Sequence, residues 1–234
     1  MNADRAALAA GASGAVRAAG ATGAAGARAA RSEFLWLGDG PAHIHGHVAR
    51  PVLVHLDRFD ARTVLDLGCG NGWFTAALAR CGFDMVGLDS SRSGINIARQ
   101  AHPDVSFRHA DALQPPEADL HNRFDAVLAV ETLDHVVQPR LLLQHAAQML
   151  RPGGLLIVTT PYHGYMKNLG LALSGRFDLR LQALQDNGRL KFFSRSTLTA
   201  LVQECGFGDI GFEPLGRVSP LARSMLVTAR RPAA

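Results

Sequence analysis

The chain has 234 residues, 47% of them hydrophobic and 19% charged, which is the composition of one globular domain long enough to bury a core. Its formal charge is +4, but residues 1–31 carry four arginines against one aspartate, so +3 of that excess sits in the first segment and the body is nearly neutral. This excludes a global electrostatic footprint for nucleic acid, and no apolar run approaches the roughly 18 residues of a membrane-spanning helix.

Residues 1–31 hold fifteen alanines and five glycines with no branched or aromatic stripe, and are expected to form a mobile tail ahead of a single domain spanning 32–234. An arginine-rich transit peptide, which would direct the protein to the mitochondrial matrix, and a misplaced start codon are the other readings of this segment. The three cysteines, Cys69, Cys81 and Cys205, share no C-x-x-C spacing and read as reduced thiols of a cytoplasmic protein.

Pro51 and the following residues Val52–Phe59 fit a helix. Val64–Leu67 reads as a strand, Gly72–Arg80 as a helix stopped by Gly82, and Met85–Leu88 as a second strand ending in Asp89. Ser90 or Ser91 caps a helix running to Gln100. Val105–Arg108 and Phe124–Val130 follow as strands, Leu141–Leu150 as a helix halted by Pro152-Gly153-Gly154, and Leu155–Thr160 as a fifth strand. Continuously apolar strands alternating with helices indicate an α/β doubly wound, mostly parallel sheet. After a helix at Ser196–Cys205, the strands Asp209–Phe212 and Met225–Ala229 have no helix between them, so the sheet is expected to finish antiparallel.

Ligands of such sheets bind beyond the carboxyl ends of the strands. The loop after the first strand reads "VLDLGCGNGWF". A dinucleotide fingerprint, and with it an NAD-dependent oxidoreductase, would need a third glycine where Trp73 stands; a Walker loop is absent too. The spacing is D-x-G-x-G-x-G, with Asp66 before the first glycine, and an anion there repels phosphate and welcomes a cation.

This segment resembles the first motif of class I S-adenosylmethionine-dependent methyltransferases, and the likeness runs over about residues 45–230. "HADALQ", "FDAVLAVETLDHV" and "MLRPGGLLIVTTP" resemble the later motifs of that family. The resemblance implies a seven-stranded Rossmann-like sheet with a terminal antiparallel strand, a helix near the N-terminus lidding the cofactor, and a variable flap after the fifth strand. It places Asp66, Gly68, Cys69, Gly70, Asp89, Ser90, Asp111, Ala112 and Val130 around S-adenosylmethionine. Asp66 would lie near the methionine amino group or sulfonium, Asp89 on the ribose hydroxyls, Asp111 on the adenine amine and the Ala112 backbone on the ring.

Directly after the fourth strand, "ETLDH" supplies Glu131, Asp134 and His135 as catalytic candidates. If helical, the turn puts all three on one face, where they can hold a divalent metal, or His135 can serve as general base. A histidine satisfied by backbone is the other reading of His135. An E-x-x-E-H form of this turn resembles ubiquinone-biosynthesis O-methyltransferases, which act on polyprenylated catechols; Asp134 shortens one arm here. The implied activity is O-methylation of a phenolic or quinone-precursor small molecule, a sugar or secondary-metabolite methyltransferase being the alternative and a non-catalytic adenosyl-ligand binding module a third. Residues 162–191 carry five bases against two acids among leucines, fitting a flap that covers a lipophilic acceptor or contacts an anionic membrane, or else an ordinary solvated helix pair. Tyr162, His163 and Tyr165 are candidates to line the acceptor pocket. In "HIHGH", His43, His45 and His47 lack a fourth ligand for zinc, and His45 is a candidate for substrate contact.

Overall fold

The computed structural model describes residues 3–10, 36, 38–42, 44–175, 188–216 and 221–233. Expectations for His43, for most of the N-terminal tail and for the middle of the flap lie outside the described residues.

Seven strands form one sheet in the order β3-β2-β1-β4-β5-β7-β6. They are β1 (Thr63–Leu67), β2 (Asp84–Asp89), β3 (Ser106–His109), β4 (Phe124–Val130), β5 (Leu150–Pro161), β6 (Gly208–Leu215) and β7 (Ser224–Arg230). Strands β1 to β5 run parallel, and β7 is antiparallel to both β5 and β6, as the missing helix between the last two strands required. Because side chains alternate along a strand, a sheet covered on both faces needs apolar residues at every position. Leu65, Leu67, Val127, Ala129, Leu156 and Val158 face one core with helices α5 (Pro139–Met149) and α7 (Arg195–Glu204). Val64, Ala126, Leu128, Leu155 and Ile157 face the other, with α2 (His45–Arg58) and α3 (Trp73–Arg80). Helix α4 (Arg92–Ala101) packs Ile95 and Ala98 on Phe107 and Cys69; α6 (Tyr165–Leu173) buries no residue.

Three boundaries differ from expectation for identifiable reasons. Residues Ala3–Ala10 form helix α1 rather than belonging to a mobile tail. One leucine suffices to seat it: Leu8 is buried among residues of α2 and α3, while the Arg5 guanidinium donates to the Cys81 carbonyl at 2.9 Å and pairs with Asp57 at 2.6 Å. Helix α2 starts six residues before Pro51, which its second turn accommodates, and buries Val48, Ala49, Val52, Leu53 and Leu56. Strand β5 begins at Leu150, so Pro152-Gly153-Gly154 lies inside it. The Gly153 amide donates to Arg231 at 3.1 Å and the Arg231 amide to Gly154 at 3.0 Å, which gives that irregular start its ladder partners.

Candidate active site

The strand order reverses between β1 and β4, and the crevice that this creates lies beyond their carboxyl ends. Register brings the acids together there: Asp89 ends β2 beside His109 of β3, and the Ala110 amide donates to the Asp89 carbonyl at 3.0 Å, so Asp111 follows one residue on. The amides of Gly68 and Cys69 both donate to the Leu88 carbonyl, at 2.7 and 3.2 Å, which swings the glycine loop from β1 across the end of β2. Gly70 has φ +57°, and a Cβ on it would strike the Trp36 indole. Gly72, with φ +75° at the N-terminus of α3, would bring a Cβ to 2.6 Å from Ala98 and 2.7 Å from the Phe107 ring. Both positions therefore need glycine for backbone conformation and for space.

Two carboxylates set the electrostatics of this loop. Asp89 accepts the Gly70 amide on Oδ2 at 2.8 Å and the Ser91 amide on Oδ1 at 2.7 Å. A carboxylate has about four acceptor sites, so an acid at this strand end is suited to accept ribose hydroxyls. Asp66 is buried and accepts the Thr75 hydroxyl at 2.7 Å. Burial pushes its carboxyl up to about 6, the Thr75 bond opposes this, and the nearby Asp89 charge adds to it. Burial and the same two acids raise the Cys69 thiol well above its ordinary range. A cradle of glycine backbone with two acids behind it fits the adenosyl sulfonium better than a pyrophosphate.

The other positions expected around the cofactor lie at the ends of β3 and β4 and after β2. Asp111 accepts the Leu113 amide at 2.9 Å in an Asx turn. The Ala112 carbonyl takes the His145 Nδ1 proton at 2.8 Å. Ser90 is exposed and offers its carbonyl to His109; Val130 is half-buried at the end of β4. Sequence reasoning missed the strap above the loop. Trp36 lies against Gly70 and Gly94, with its amide donating to Ser93 Oγ at 3.3 Å, and Asn71 Nδ2 donates to the carbonyls of Gly38 and Gly40 at 2.8 and 2.9 Å. A lone tryptophan far from the motif carries no pattern that would have marked it.

Beyond β4 the "ETLDH" turn carries a single 3-10 turn over Leu133–His135 rather than an α-helix, and Glu131 stands outside it. Glu131 holds a left-handed φ of +50°, fixed by its amide donating to the Thr159 carbonyl and hydroxyl at 3.0 and 3.1 Å. Such strain costs on the order of 1–3 kcal/mol in a side-chain-bearing residue and concentrates at working sites. Thr132 Oγ1 donates to Leu67 at 2.9 Å, tying this turn to the glycine loop. Asp134 is buried and accepts Arg189 Nε at 2.9 Å, while His135 Nε2 stands 3.6 Å from the same carboxylate oxygen with its side chain 36% exposed. Burial raises the Glu131 carboxyl to about 8, with Asp134 adding to the rise and Arg189, Ser224 and Thr159 opposing it. Arg189, another residue missed, lies 4.0 Å from Glu131.

The residues do not fit a divalent ion: a guanidinium fills the place between the two carboxylates, and among the described residues no three His, Cys, Asp or Glu side chains converge. "HIHGH" likewise disperses. His45 stacks on Trp73 and Phe74 at 5.1 and 5.0 Å, and His47 Nε2 lies 3.2 Å from Ser224 Oγ. Tyr162 packs on Phe212, and His163 meets the edge of Phe192. Tyr165, at the start of α6, is 79% exposed among the described residues.

Comparison with known proteins agrees with this geometry. The profile of the methyltransferase domain family matches residues 42–210. The ubiquinone biosynthesis O-methyltransferase of Azorhizobium caulinodans is 36% identical over 185 residues, covering 71% of this chain and 72% of that protein. The enzyme of the same description from Bradyrhizobium diazoefficiens is 40% identical over 114 residues, which cover 48% of this chain and 44% of its own length. In fold, the chain is similar to the [4+2]-cyclase SpnF (TM-score 0.63, 18% identity, 80% of this chain and 82% of that one). It is similar also to an S-adenosylmethionine-dependent methyltransferase of Thermotoga maritima (TM-score 0.57, 23% identity, 73% and 82%). With the sheet order, the glycine cradle and the strand-end acids in place, this chain belongs to the methyltransferase domain family and is an S-adenosylmethionine-dependent methyltransferase.

Proposed function

We propose that this enzyme methylates an oxygen of a phenolic, quinone-precursor-like small molecule. The observation that carries the reading is the turn after β4: a strained, buried Glu131 and a His135 beside the Asp134 carboxylate, tied by Thr132 to the glycine loop. S-adenosylmethionine supplies the methyl electrophile, so this chain's residues have two tasks: to align the acceptor oxygen and to take its proton. His135 is the accessible base, and Asp134 stabilises the imidazolium that forms when the proton moves to it. Glu131, raised toward neutral pH, holds the acceptor through a hydrogen bond. The names of the relatives from Azorhizobium and Bradyrhizobium support a phenolic acceptor.

A lipophilic acceptor is in keeping with α6, whose Tyr165, Met166, Leu169 and Leu173 are exposed large apolar side chains. Such a helix suits peripheral contact with a membrane, and no described helix is long and apolar enough to cross one. Peripheral attachment at a cytoplasmic membrane face follows from this reading. Incubation with methyl-labelled cofactor and fractionated cell lipids and soluble metabolites, followed by mass analysis, tests both parts. A labelled phenolic ether from the lipid fraction supports them; a labelled sugar or amine replaces the acceptor class, and cofactor binding without any transfer would leave a binding module.

A further inference from the structure

Arg189 reaches the turn after β4 from the far end of the segment that follows β5. Its Nε donates to Asp134 Oδ2 at 2.9 Å and its Nη2 lies 4.0 Å from Glu131 Oε2. The next two residues fasten the same spot, for the amides of Leu190 and Lys191 both donate to the Asp134 carbonyl, at 2.7 and 3.0 Å. The Asp134 side chain is 1% exposed and that of Glu131 12%, and Asp134 Oδ1 is buried without a hydrogen-bond partner.

Two neighbouring carboxylates removed from water are relieved by a proton on one of them or by a cation, and a metal ion or a guanidinium can supply the cation. They do so differently. A divalent ion gathers six or more oxygen ligands, whereas a guanidinium directs planar N–H groups at chosen oxygens and leaves the others free. The second pattern is the one present, with one Asp134 oxygen engaged by Arg189 and the other buried without a hydrogen-bond partner.

We infer that Arg189 is the resident cation of the acceptor site, a positioning residue that holds Asp134 and Glu131 in place so that acceptor binding needs no divalent metal. This rests on the acceptor site being the Glu131–His135 turn. Arg189 then orients His135 through Asp134, and the segment after β5 contributes a fixed part of the site.

Two measurements on the full chain test it. In manganese(II) titrations followed by the electron paramagnetic resonance of the free ion, the parent shows no Glu131-dependent site. Arg189→Met, which keeps the stem without the charge, gains one, and Glu131→Gln in that background removes it. In methyl transfer to catechol as the probe acceptor, the parent is indifferent to chelator. Arg189→Met raises KM for catechol by about thirtyfold or more, as expected for removing one partner of a buried charge pair. The cofactor KM stays within about twofold, because Arg189 acts on Asp134 and Glu131, which lie outside the glycine loop. Arg189→Lys, which keeps the charge and guards against a folding defect, recovers part of the loss. A parent that binds manganese through Glu131, or an Arg189→Met enzyme that matches the parent in both measurements, overturns the inference. A parent that methylates no catechol strikes the acceptor reading instead, and the manganese titration still decides the role of Arg189.

Discussion

Asp66→Asn removes one buried charge while leaving an oxygen to accept the Thr75 hydroxyl at the 2.7 Å contact. Burial raises this carboxyl from 3.8 to about 6, a rise that corresponds to about 3 kcal/mol. Because the folded value lies above the unfolded one, the protonated carboxyl is the stabilising form. Its contribution is complete below pH 3.8 and is lost as the pH climbs through about 6. The asparagine cannot lose it. Urea unfolding of the cofactor-free protein at pH about 4 and about 8 should therefore show the gap between variant and parent moving by about 2.4 kcal/mol in the variant's favour at the higher pH. The same substitution should weaken binding of S-adenosylmethionine more than that of S-adenosylhomocysteine, since only the former carries the sulfonium. A gap that is equal at both pH values refutes the burial argument, and equal losses for the two ligands refute the placement of Asp66 near the sulfonium.

Asp89→Ala should weaken S-adenosylhomocysteine binding by about 1–3 kcal/mol by calorimetry, since it removes the acceptor that holds the Gly70 and Ser91 amides as well as a ribose contact; an unchanged dissociation constant rejects the assignment. Gly72→Ala forces a side chain into a left-handed residue and against Ala98 and Phe107, whereas Gly82→Ala, at φ +97°, meets nothing within 4 Å. The first should destabilise by about 1–3 kcal/mol more than the second in denaturant titrations, this being the overpacking cost alone; equal losses would mean that α4 yields freely. His135→Ala should lower kcat for methyl transfer about a hundredfold with the cofactor KM unchanged, and parent-like turnover would return His135 to a structural role.

What was legible in the sequence was local. Asp66, Asp89 and Glu131 lie within a residue or two of a strand they follow or end, and a parallel sheet delivers all such residues to one edge, so their meeting needs no long-range knowledge. Arg189 meets Asp134 across 55 positions and Trp36 meets Ser93 across 57. Each is one base or one aromatic among several, with no periodicity to single it out. The "ETLDH" segment forms a short 3-10 turn rather than a longer helix because the Glu131 backbone turns left-handed, answering to Thr159 on the next strand rather than to its own neighbours. Helix α1 was hidden for a similar reason: its seat depends on Asp57 and the Cys81 carbonyl, which composition does not register.

The last strand of the chain is not the last strand of the sheet. Strand β7 lies between β5 and β6 and bonds to both along nearly its whole length. During synthesis the edge of β5 that faces away from β4 therefore waits for its partner until about residue 230 has left the ribosome, and β6 waits for the same strand. Ser224, which opens β7, also lies against His47 of α2. The nascent chain can assemble the half that carries the glycine loop early, from elements adjacent in sequence, but the half that carries β5, β7 and β6 closes in one late event that joins distant segments. A ribosome-stalled chain lacking β7 should hold a formed glycine loop and an unpaired sheet edge. That exposed edge, rather than the cofactor site, is where chaperones would act and where aggregation would start.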